Sequence, residues 1–146
     1  MYLLGKVYSA LGEYDKARTF LEKALAYYEK NYGKEHVETA HAIRYIGETY
    51  YLEEKLDLAT NLFHRALEIF QKNNHSDQYM ILEDLAEINF KKSVIATKNG
   101  NIEHAQKFKD SSIRDLKEAL KIVKEYFPED SPHIERIKLK LKSMQV

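Results

Sequence analysis

The chain has no cysteine and no tryptophan, only two prolines and five glycines, and no net charge. Each shortage closes off a class of explanation. Without cysteine there is no disulfide framework and no thiolate chemistry. So few prolines and glycines, among abundant Ala, Leu, Glu and Lys, indicate an all-helical protein. No apolar run reaches the roughly 18 residues of a membrane-spanning helix. No charged stretch followed by an apolar one opens the sequence, so no secretory signal is expected in it and the expected location is cytoplasmic. Gly33, Gly47 and Gly100 are isolated, which leaves no phosphate-binding loop. The six histidines (36, 41, 64, 75, 104 and 133) form no His-x-x-x-His pair and no duplicated Glu-x-x-His, so no metal site is expected. The expectation is a protein without cofactor, small-molecule substrate or catalysis.

What the sequence does have is a repeat. Leu4-Gly5-x-x-Tyr8, Gly12-x-Tyr14-x-x-Ala17, Leu21 and Ala24 recur as Ile46-Gly47-x-x-Tyr50, Leu56-x-x-Ala59, Phe63 and Ala66, offset by 42 residues. A period of this size marks a helical array. Leu4, Tyr8, Leu21, Ile43, Ile46, Tyr50, Phe63 and Leu67 fall at three- and four-residue steps and form the stripe expected between helices. Gly5, Gly47 and Ala86, with Ala17, Ala24, Ala59 and Ala66, mark close helix approaches. Gly12 suits the turn between helices because it tolerates positive φ; Glu54 stands at the equivalent place in the second repeat.

This pattern resembles the tetratricopeptide repeat, in the 42-residue form of the kinesin light chains. The link Gly33-Lys34-Glu35-His36-Val37-Glu38-Thr39-Ala40 resembles that form's Gly-x-x-His-Pro-x-Thr-Ala, with Val37 at the proline position. Pro128-Glu129-Asp130-Ser131-Pro132 looks like a degraded second copy. The resemblance implies an all-α, right-handed α-solenoid of antiparallel helical hairpins, about seven helices in all. It implies one tetratricopeptide-type domain over 1–146, with repeats at about 1–35, 36–75 and 76–127 and an end helix at 131–145. Met1 falls about one turn into the expected first helix, so the chain is expected to be a piece of a longer array or to stack on another copy.

The third repeat is stretched. Leu85 to Gly100 is 15 residues against 8 from Leu4 to Gly12, and Gly100 to Ala119 is 19 against 12 from Gly12 to Ala24. Equal excesses on both sides predict an elongated hairpin turning at Lys98-Asn99-Gly100-Asn101. Its tip, with Ile95, Thr97, Lys98, Asn99, Ile102, His104 and Phe108, is either a cap on the array or an arm for a partner or another copy. Ser131 and Pro132 then begin a C-terminal capping helix with an apolar stripe at Ile134, Ile137, Leu141 and Met144. Arg136, Lys138, Lys140 and Lys142 are expected on its outer face, as solvated charge or as a site for acidic partners or nucleic acid, though no nucleic-acid motif accompanies them. Charge is uneven along the chain: residues 1–90 carry 10 Lys+Arg and 15 Asp+Glu, residues 91–146 carry 13 and 8. Such a dipole either steers a partner or is a difference between solvated faces.

The resemblance also implies a concave groove lined by the first helix of each pair. Tyr2, Lys6 and Ser9 would face it from the first repeat. His41, Arg44, Tyr45, Glu48 and Tyr51 would follow from the second, and Met80, Glu83, Asp84, Glu87, Phe90 and Lys91 from the third. The basic and amide set with which some family members grip a peptide carboxylate is absent, since Glu83, Asp84 and Glu87 occupy those places. The asparagines of the kinesin light chains are replaced by Arg44-Tyr45 and Glu83-Asp84. The expected partner is a protein or an extended peptide with basic and apolar residues. Self-assembly through the N-terminal end or the long hairpin, and regulation of a nucleic-acid-binding partner, stand as alternatives.

Overall fold

In a computed structural model, which describes residues 2–145, seven helices account for the regular structure. They are α1 (Leu3–Ala10), α2 (Tyr14–Tyr32), α3 (Val37–Leu52), α4 (Leu56–Lys72), α5 (Gln78–Lys98), α6 (Ile102–Tyr126) and α7 (Pro132–Met144). The chain divides into two compact units, residues 1–75 and 76–146.

In the first unit each helix packs on the next, α1 on α2, α2 on α3 and α3 on α4. Small residues set how close they come. A Cβ added to Gly5 would lie 2.6 Å from Leu21 Cδ2, and one added to Gly47 would lie 3.0 Å from Phe63 Cε1. Ala17, Ala24, Ala59 and Ala66 are buried beside them. Leu21, Ile43, Phe63 and Phe70 fill the interior, the non-directional burial that holds a helix array together.

The helical turns share one geometry with different residues. Gly12 has φ +78°, and the next amide, Glu13 N–H, donates to Tyr8 O at 2.9 Å. Glu54 adopts the same left-handed conformation (φ 63°), and Lys55 N–H donates to Tyr50 O at 2.9 Å. The second repeat therefore keeps the turn without glycine, against a local steric cost of about 1 kcal/mol. Arg18 of α2 ties this turn back by pairing with Glu53, and its guanidinium lies 5.0 Å from the Tyr50 ring centre. In the link before α3, Thr39 Oγ1 donates to Gly33 O at 2.8 Å, and His36 Nδ1 accepts the Glu38 amide as the helix cap.

One expectation fails at α1. Leu4, assigned to the stripe between helices, is 53% exposed, and Leu3, Val7 and Leu11 are also exposed. Helices α2 and α3 contact α1 on one side only, and among the described residues nothing covers the other. Met1 lies outside the described residues.

In the second unit α5 and α6 form the long hairpin, 21 and 25 residues against 16 and 17 for α3 and α4. It turns at Gly100 (φ +76°), where Asn101 N–H donates to Ala96 O. Ser131 caps α7, accepting the His133 amide at 3.3 Å, with Pro132 in its first turn. Ile134, Ile137, Leu141 and Met144 are buried as α7 packs on α6.

Candidate protein-binding surfaces

On the first unit, Tyr2, α1 and α3 bring six of the expected groove residues together: Tyr2, Lys6, Ser9, Arg44, Tyr45 and Glu48. The Tyr2 and Tyr45 rings lie 4.7 Å apart, and Tyr2 also approaches Tyr28 at 6.2 Å. Lys6 Nζ sits 4.9 Å from the Tyr45 ring centre and the Arg44 guanidinium 5.7 Å from it, both within cation–π range. Ser9 and Thr49 hydroxyls, 2.7 Å apart, join the two helices, and Thr49 Oγ1 also donates to Tyr45 O. Beside this layer is a recess of about 220 Å³ lined by Lys6, Ser9, Ala10, Leu21, Tyr45, Glu48 and Leu52. Leu21, Ala10 and Leu52 give it apolar walls, and Lys6 and Glu48 bring opposite charges to it. Tyr51, one turn further along α3, is half-buried.

His41 is placed differently. Its ring packs edge-on against Phe70 at 5.0 Å and near His75 at 6.3 Å, so it belongs to the aromatic packing at the end of α4.

On the second unit, Glu83 is buried at 8% exposure and is held by α7. Arg136 grips it with two bonds, Nε to Oε1 at 3.0 Å and Nη2 to Oε2 at 2.8 Å, and Lys140 adds a third at 3.2 Å. Burial pushes the Glu83 carboxyl up. The Arg136 hydrogen bond and the Lys140 and Arg136 charges outweigh it, so the group ends below the usual carboxylate range. The Glu83 bond in turn raises Arg136, against its own desolvation. The expectation that Arg136 and Lys140 face outward on α7 is therefore corrected: they flank the apolar stripe and turn toward Glu83, while Lys138 and Lys142 are exposed. Arg136 Nη1 also donates to His133 Nδ1 at 2.8 Å, and the His133 ring lies 5.1 Å from Tyr79 and 5.0 Å from Phe127. Of the remaining expected groove residues, Met80, Asp84 and Lys91 are half-buried, whereas Glu87 and Phe90 are exposed.

The Glu83 cluster went unseen in the sequence because its members are 53 and 57 positions apart. The available signal was Arg136 and Lys140, four apart on a helix whose predicted neighbour carried an acidic run. Among the described residues no three His, Asp or Glu side chains converge as a metal set, and no helix is long and apolar enough to cross a membrane.

The sequence profile of the tetratricopeptide repeat family matches residues 1–72. No curated protein matches the chain in sequence. Among solved structures, a variant of nearly identical TPR-like repeats, from a Podosopora anserina protein described as a kinesin light chain, matches with TM-score 0.72 at 16% identity. That alignment covers 98% of this chain and 62% of the other. A second structure of those repeats matches with TM-score 0.54 at 14% identity, over 98% and 82% of the two chains. BtubC (BKLC) from P. vanneervenii matches with TM-score 0.53 at 18% identity, over 98% of this chain and 61% of its own. The chain thus spans under two thirds of the first and third of these. Identities this low speak for the fold, an all-α array of helical hairpins of the solenoid class. The repeated Gly5/Gly47 and Ala17/Ala59 contacts, the shared turn geometry and the family profile agree: residues 1–72 are tetratricopeptide repeats, and the chain has the helical-hairpin fold of the kinesin-light-chain repeats.

Proposed function

We propose that the protein is a non-catalytic binding module that holds an extended segment of a protein partner on the α1/α3 face. Tetratricopeptide repeats are in general protein–protein interaction modules. The observation that carries the finer reading is the layer of Tyr2 and Tyr45 with Lys6 and Arg44 beside an apolar recess. Tyrosines give large contact area at little entropic cost, and their rings are already packed against each other at a tilt here, so little ordering remains to be done on binding. The recess accepts an apolar side chain, while Lys6 and Glu48 select the charges that flank it. This replaces the expectation of a basic peptide, which rested on an acidic wall in the third repeat. Glu83, the centre of that wall, is neutralised by Arg136 and Lys140.

Selection of displayed random peptides tests the reading. Peptides enriched on the wild-type chain are expected to bind Lys6→Glu and Tyr45→Ala variants about tenfold more weakly. Equal binding to variants that keep wild-type helicity would remove the α1/α3 face as the site.

A second reading, self-association through α1, is favoured by the exposed Leu3, Leu4, Val7 and Leu11. It predicts a dimer mass by light scattering that reverts to monomer in Leu4→Lys; a monomeric wild-type chain would rule it out.

A further inference from the structure

Helix α7 covers only the part of the long hairpin nearest its own start. Along α5, Tyr79, Glu83, Ala86, Phe90 and Val94 follow each other at steps of three and four and share one face. The first three meet α7 or its immediate support. Tyr79 meets His133, and Glu83 meets Arg136 and Lys140. At the level of Ala86, whose carbonyl accepts from Ser112 Oγ at 2.7 Å, the Met144 sulfur lies 3.0 Å from that same hydroxyl. Beyond this level Phe90 and Val94 are 39% and 40% exposed. At 1.5 Å per residue α5 is about 32 Å long and α7 about 20 Å, so about two turns of the α5 face extend past it.

The charge of that face reverses at the same point. Glu83, Asp84 and Glu87 lie on the half nearer α7, whose Arg136 and Lys140 pair with Glu83. Residues 91–109, across the tip, carry five lysines (91, 92, 98, 107 and 109) against the single acidic Glu103. Lys92 Nζ lies 5.7 Å from the Phe108 ring centre, so part of this charge stands over apolar surface.

We propose that the distal half of the α5/α6 hairpin docks an acidic amphipathic helix of a protein partner. The helix lies along Phe90 and Val94 and continues the packing that α7 makes on the proximal half. An apolar strip of helical spacing fits a helix, and the lysines around it fit carboxylates. A second copy of α7 is the wrong sign, because Arg136, Lys138, Lys140 and Lys142 outnumber its one acidic residue, Glu135. An anionic bilayer fits less well, because the strip runs along the side of α5 while Lys98, Asn99 and Asn101 interrupt the apolar residues at the tip. This surface is separate from the α1/α3 face and does not depend on it.

The test uses the whole chain and two synthetic amphipathic helices of equal hydrophobicity, one with glutamates and one with lysines on the polar face, read by fluorescence anisotropy. The acidic helix is expected to bind at least about tenfold more tightly than the basic one. It should weaken by about tenfold in Lys91→Glu/Lys98→Glu, and also in the single exposed-site change Lys98→Glu to a lesser degree. Lys6→Glu should leave it unchanged. Equal binding of the two helices, indifference to both lysine reversals, or loss in Lys6→Glu would each overturn the proposal. So would Lys98-dependent sedimentation with phosphatidylserine vesicles without binding of the acidic helix, which would assign the tip to a membrane surface.

Discussion

Replacing Glu83 with glutamine isolates what the buried ion cluster contributes to seating α7. The side chain keeps its shape and one acceptor but loses its charge, in a position 8% exposed. Glutamine offers its single oxygen to at most two of the three bonds, and its amide nitrogen, itself a donor, faces a donor of Arg136, so one bond is lost and the others no longer end on an anion. Arg136 and Lys140 also lose the anion between them, and their mutual repulsion is left uncompensated. A fully buried pair broken on one side costs about 3–5 kcal/mol. Arg136 and Lys140 retain 40% and 31% side-chain exposure, so water recovers part of that, and a loss of about 2 kcal/mol is expected. In urea this lowers the midpoint by about 1–2 M, followed by helical circular dichroism at pH 7. The pH dependence supplies a second check. Glu83 is depressed in the folded protein, so its stabilisation is present above the ordinary carboxylate range and is lost as pH falls through the folded value. The wild-type and Glu83→Gln curves should therefore converge in acid. Equal midpoints at pH 7, or a gap that persists unchanged at acid pH, would refute the argument.

Gly5→Ala should destabilise by about 1–3 kcal/mol in the same assay, because the new Cβ meets the branch of Leu21. Gly47→Ala should cost less, its nearest neighbours being ring-edge atoms of Phe63 at 3.0 Å. Gly100→Ala places a side chain at φ +76° in open space, so only backbone strain of about 1 kcal/mol is expected, without change in the helical spectrum. Ser131→Ala removes the α7 cap and should lower stability by about 1 kcal/mol.

Local and periodic features were legible in the sequence. The 42-residue offset placed Gly5 and Gly47 at the closest helix approaches, and the two equal excesses around Gly100 located the lengthened hairpin. Gly12 and Ser131 do what their chemistry demands, since a left-handed turn and a helix cap are decided within a few residues. What remained hidden depends on distant neighbours. Whether Arg136 and Lys140 face water or Glu83 is decided by where α7 lies on α5, because residues flanking an apolar stripe can turn either way. His41 has the groove spacing, yet Phe70 and His75, far along the chain, take its ring. Leu4 lies on the right stripe, yet among the described residues nothing covers that side of α1, which periodicity alone does not reveal. Glu54 shows the reverse case: a residue that no turn rule favours adopts the turn because the flanking helices impose it.

The incomplete cover of the long hairpin also has a kinetic consequence. Around Leu116, Ala119 and Val123 the amides of α6 lie where three helices pack together, and they exchange with solvent only when α7 and α5 open together. Between Glu103 and Lys109 the same helix is largely exposed and packs on α5, so its amides need only a local separation of two helix ends. A single uninterrupted helix of 25 residues should thus carry a steep gradient of deuterium uptake, fast at its start and slow near its end, with no break in its hydrogen bonds to mark the border. A ligand that lies along Phe90 and Val94 would flatten that gradient from the fast side.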